Sequence, residues 1–83
     1  MRCVLTGARD MSFKTRDGDE IDGVKLHYLS MDPDTFGQAA ENKMVQRHVF
    51  NSFGMSFDRL RELIGSEVNI EFNQKGRIVG MTV

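Results

Sequence analysis

The residues best able to do chemistry in this chain are scattered. Cys3, His27 and His48 fall one to a predicted strand, and two imidazoles without a third ligand make a poor zinc site. Ser52 and Ser56 stand where turn and capping roles need a hydroxyl, and no serine-nucleophile motif surrounds them. Asp17, Asp19, Glu20 and Asp22 crowd around Gly18 as in a calcium loop. The bidentate glutamate that closes such a loop is missing, so the cluster reads as a solvated hairpin tip. No glycine-rich phosphate loop precedes a helix. The expectation is a non-catalytic protein with no metal or cofactor site.

Cations set among rings are the stronger signal. Lys14 and Arg16 flank the first turn, and Lys25, His27 and Tyr28 follow on the second strand. Lys43, Arg47, His48, Phe50 and Phe53 come next, with Lys75 and Arg77 at the last turn. Single-stranded nucleic acid asks for this mixture, since rings stack on bases while Lys and Arg follow the phosphates. The expected interface is Lys14, Arg16, Lys25, His27, Tyr28, Arg47, His48, Phe50, Lys75 and Arg77. A core competes for the same rings. The chain has six phenylalanines and no tryptophan, and Tyr28 shares its alternation with Val24 and Leu26. Phe57 and Phe72 are expected to be buried.

Five strands must position these groups. Arg2–Thr6 alternates, Gly7 interrupts as at a bulge, and the strand resumes through Met11, Phe13 and Thr15. Asp17-Gly18 marks a hairpin turn, and the second strand runs from Gly23 to Met31. Pro33 opens a polar loop over 32–43, in which Ala39, Ala40 and Glu41 suit one helical turn. Met44–Phe53 reads as the third strand, although both of its alternating faces are mixed. The last two strands, Val68–Phe72 and Arg77–Val83, turn at Asn73–Gly76.

Between the third and fourth strands lies one well-marked helix, Ser56–Ile64. Ser56 is a good N-cap, Asp58 suits the positive end of the dipole, and Gly65 suits the left-handed C-terminal position. Phe57, Leu60, Leu63 and Ile64 form its apolar face, and Met55 with Leu60 occupies the positions of a hydrophobic staple. Three strands, a helix and two strands is the element order of a five-stranded OB-fold barrel with one helix between strands 3 and 4. The reading is mainly β, one OB-like domain over 1–83. An SH3-like barrel or a split α+β sheet satisfies the same pattern.

Eighty-three residues hold one core, and a single cysteine gives no disulfide framework. Cys3 reads as a half-buried small hydrophobe, with a reducing cytoplasm as its natural setting. No secretion-signal pattern and no apolar run of membrane-spanning length occurs, so a cytoplasmic protein is expected. A net charge of −1 does not make the domain basic as a whole, so binding to nucleic acid requires its cations to share one face.

Phe13-Lys-Thr-Arg-Asp-Gly18, followed by Gly23-Val-Lys-Leu-His-Tyr28, resembles the small single-stranded-DNA-binding proteins of filamentous phages and related mobile elements. Their aromatic–Thr–Arg–x–Gly hairpin similarly leads into a strand with a basic residue and a tyrosine. The resemblance covers about the first third of the chain. It implies an OB-fold homodimer that coats single-stranded DNA, with Arg16, Lys25 and Tyr28 touching the strand. The family lacks so well formed a helix, and the acidic tip here departs from what a nucleic-acid reader prefers. RNA is an alternative ligand. The alternative function is a protein–protein interaction or assembly module, suggested by near-neutral charge, the acidic hairpin and six methionines.

Overall fold

A computed structural model describes residues 1–30, 34 and 36–83. Its elements are β1 (Arg2–Lys14), β2 (Glu20–Ser30), β3 (Ala39–Gln46), α1 (Arg47–Ser52), α2 (Phe57–Glu62), β4 (Glu67–Phe72) and β5 (Ile78–Thr82). All five strands join one antiparallel sheet in the order β3-β2-β1-β4-β5. Among the described residues no ladder joins β3 to β5, so the sheet is not closed into a barrel.

The long first strand is two strands in register terms. Leu5 pairs with Tyr28 but Gly7 pairs with His27, which leaves Thr6 as the extra residue of a bulge. An extra residue reverses which side chains face inward. Cys3 and Leu5 face the core before the bulge, and Ala8 takes up that side after it. Beyond Met11 the β1–β2 hairpin outruns the sheet, since β3 reaches only as far as Gly23. Its turn is closed by the Thr15 amide donating to the Asp19 carbonyl at 2.8 Å.

Alternation on β2 holds as expected: Val24, Leu26 and Tyr28 are buried and Lys25, His27 and Leu29 lie on the other face. Gly23 lies where β3 crosses closest. A Cβ there would stand 2.3 Å from the Val45 carbonyl oxygen, so a larger residue would push the two strands apart.

The third strand differs from the expectation. It occupies Ala39–Gln46, and the six residues that follow are helical. The mixed faces of Met44–Phe53 have this cause: Val49, Phe50 and Phe53 pack on the core at helical spacing. Polar Ala39–Lys43 forms a strand instead of a helical turn because an edge strand needs little apolar content. Of its inward row, Ala39, Glu41, Lys43 and Val45, only Val45 is buried. Of the expected loop, residues 32, 33 and 35 lie outside the described residues, as does residue 31 at the expected end of the second strand.

The expected helix is α2, Phe57–Glu62 with Ser56 as its N-cap, and α1 is a second helix that the expectation lacked. In α2 the Ser56 hydroxyl accepts from the Arg59 amide at 3.1 Å, and Asp58 sits in the first turn. Gly65 adopts φ +87°, and its amide donates to the Leu5 carbonyl at 2.6 Å, tying the helix end to β1. Leu60 and Leu63 are buried, whereas Ile64 is exposed and Phe57 only half-buried. Phe72 is half-buried too. Each ring has a cation above it instead of full cover: Arg61 over Phe57 and Lys43 over Phe72. The largest fully buried side chains are Tyr28, Leu5, Leu26, Leu60, Ile70, Val24 and Val68, and the aliphatic ones each contribute about 1.5–3 kcal/mol through burial.

Candidate nucleic-acid interface

Strand pairing arranges the outer face of β1, β2 and β3 in rows. Gly7, His27 and Asn42 make one row, and Arg9, Lys25 and Met44 the next. Met11, Gly23 and Gln46 follow, and Phe13 stands opposite Ile21 on the projecting hairpin. Arg9 is exposed, Lys25 and His27 are half-buried, and Phe13 and Met44 remain 48% and 40% accessible. Rings, thioethers and cations therefore share one surface.

Its charge is uncompensated. Arg2 pairs with Glu67, Arg59 with Glu62 and Arg61 with Asp58. Among the described residues neither Arg9 nor Lys25 meets a carboxylate, although they sit directly opposite each other. Like charges so placed destabilise a sheet, which makes the pair costly for the fold.

The ten residues expected at the interface separate into five places. Lys25 and His27 lie on the outer face just described. Lys14 and Arg16 are exposed at the far end of the hairpin, Lys14 opposite Glu20. His48 and Arg77 line a groove between the end of β3 and the start of β5, with exposed Lys75 on the adjoining turn.

Tyr28 and Phe50 belong to the core, at 1% and 3% accessibility, and present no stacking surface. Among the described residues, the buried Tyr28 hydroxyl has no hydrogen-bond partner. Burial first, and the nearby negative charge of Glu41 second, push its pKa up to about 12.

Arg47 is the fifth case. Its guanidinium is paired with Asp10 of β1, meets Asp22 of β2 at 3.1 Å and donates to the Gly23 carbonyl at 3.3 Å. Asp10, then Asp22, hold its pKa above the ordinary value. The side chain is a clamp between α1 and the hairpin. Its charge is spent within the fold and is not offered to a phosphate.

Arg9, the exposed Phe13 and Met44 are the members of the outer face that the expected set lacked. The Asp17-Gly18 turn carried the signal for Arg9, because the hairpin register runs symmetrically about Asp17 and sets Arg9 against Lys25. Among the described residues, no three His, Cys, Asp or Glu side chains stand close enough to hold a metal ion, and no helix is long and apolar enough to cross a membrane.

Compared with known proteins, the chain matches no family model, no curated protein and no solved structure.

Proposed function

We propose that the protein is a non-catalytic binder of single-stranded nucleic acid, DNA in the first instance, and that the strand lies across the outer face of β1, β2 and β3. The observation that carries this reading is the Arg9–Lys25 pair, two cations placed side by side with no carboxylate of their own. A phosphodiester relieves their repulsion by lying between them. Phe13 gives an exposed ring for a base to stack on, and Met44 and Met11 give adaptable apolar contact beside it.

Topology supports the same reading. A three-strand meander, β1 paired to both β2 and β4, and helices between β3 and β4 are the arrangement of an OB barrel whose β3–β5 seam is open. We read the sheet as OB-like on that ground. The near-neutral net charge does not oppose the reading, because the acids are concentrated elsewhere: Glu67 and Glu71 on β4, and Asp17 and Asp19 at the hairpin tip.

The test is a fluorescence-anisotropy titration with labelled oligo-dT at two salt concentrations. If Arg9 and Lys25 each neutralise a phosphate, the logarithm of affinity falls against the logarithm of salt with a slope of about −1.4. Absence of association at low salt removes the proposal.

A further inference from the structure

The open seam between β3 and β5 is a second surface, and its chemistry differs from that of the outer face. The groove there has a volume of about 530 Å³. Val45, Val49 and Ile78 form its floor, Val79 its wall, and His48 and Arg77 its rim. Apart from the His48 imidazole at the rim, no aromatic ring is among its described lining residues, so it offers little for a run of bases to stack on. Among the described residues, the backbone groups along the outward edges of β3 and β5 pair with no other strand. Lys43 spans the seam at one end, its ammonium donating to the Gly76 carbonyl, and α1 packs against both strands at the other. Neither edge carries a proline, and the extra residue of β5, Val79, lies between Ile78 (opposite Phe72) and Gly80 (opposite Glu71) and lines the groove.

We infer that this seam receives an extended segment of a partner protein, added as a strand alongside β5, with apolar side chains on the groove floor and a carboxylate at Arg77 and His48. The unpaired amide and carbonyl groups call for a peptide backbone, which nucleic acid does not possess. The apolar floor calls for Val- or Ile-like side chains at alternate positions, and the cationic rim for an acidic residue between them. In a second copy the stretch that fits that description, Glu67-Val-Asn-Ile-Glu71, is β4, already paired to β1 and β5. The acidic stretch over 17–22 is bent into the β1–β2 turn by the Thr15–Asp19 bonds, and Asp22 is held by Arg47.

The test uses the full chain and a blocked hexapeptide of alternating glutamate and valine, followed by amide NMR and hydrogen exchange. The expected result is shifts and slowed exchange at amides of Ile78–Thr82 and Met44–Gln46, with those of Arg9 and Lys25 unmoved. Replacing the glutamates by lysines is expected to weaken binding about tenfold or more. N-methylation of alternate peptide amides, which leaves the protein untouched, is expected to abolish it. The inference is overturned if the peptide leaves both edges unmoved, if the N-methylated peptide binds equally well, or if the lysine peptide binds as tightly. It is also overturned if oligo-dT moves and protects the same β5 amides, or if those amides are already protected in a concentration-dependent dimer. The oligo-dT titration of the outer face succeeds or fails independently of these outcomes.

Discussion

Arg9 and Lys25 stand directly opposite each other on β1 and β2, and among the described residues neither forms an ion pair with a carboxylate. Directly opposed residues hold their Cβ atoms roughly 4.5–5.5 Å apart, where like charges repel. Four other arginines of the chain are ion-paired. Arg9, exposed, and Lys25, half-buried, keep a local positive field there at a cost in stability.

That cost gives the first prediction a double sign. Lys25→Glu turns repulsion into attraction, so folding stability rises by roughly 0.2–1 kcal/mol. Affinity for oligo-dT falls at the same time, and the salt slope becomes shallower. Denaturant unfolding and anisotropy read the two effects separately. A variant that loses both stability and binding would mean Lys25 is chiefly structural.

Phe13→Ala tests stacking. The ring is half accessible on a hairpin that outruns the rest of the sheet, so its loss changes stability little. Stacking on one base is worth ~1–3 kcal/mol, and a loss of about tenfold in oligo-dT affinity is expected. The same titration checks it, with the thermal midpoint as the control.

Arg47→Ala has the opposite signature. It releases the hairpin from α1 by removing the contacts to Asp10, Asp22 and the Gly23 carbonyl. A lower thermal midpoint and faster proteolytic cleavage near the hairpin are expected, with the oligo-dT affinity of the folded protein unchanged.

The buried phenol predicts an alkaline transition. Tyr28 titrates near 12 when folded against an ordinary value of 10, so between those pH values the unfolded chain has released a proton that the folded chain retains. Stability from this group is therefore intact below pH ~10 and is lost as pH rises toward ~12, by an amount on the order of 2–3 kcal/mol. Tyr28→Phe removes that slope. It also removes a buried hydroxyl that has no partner among the described residues, so at neutral pH the variant is expected to be at least as stable as the parent. Phenolate absorbance follows the titration directly, since Tyr28 is the only tyrosine.

Local signals in the sequence located most elements. The Ser56 cap, the Gly65 terminus, the Gly7 bulge and both hairpin turns stand where residue chemistry puts them. β3 was illegible because an edge strand facing solvent carries no apolar alternation, and the helical Val49–Phe50–Phe53 set beside it was read as strand. For the interface, composition named cations but not their company. That Arg47 meets two aspartates from different strands depends on how the hairpin meets α1, whereas the inward turn of Tyr28 follows from its alternation with Val24 and Leu26. Arg9 was recoverable from the symmetry of the hairpin about Asp17, provided that the Gly7 bulge was allowed to reverse the alternation.

The most direct measurement is amide NMR of the full chain as oligo-dT is added at low salt. The proposed function predicts that the largest shifts fall on Arg9, Met11, Phe13, Lys25 and His27, with the buried Tyr28 and the clamped Arg47 little changed. Shifts confined to the β3–β5 seam or the helices, or none at all, would contradict it.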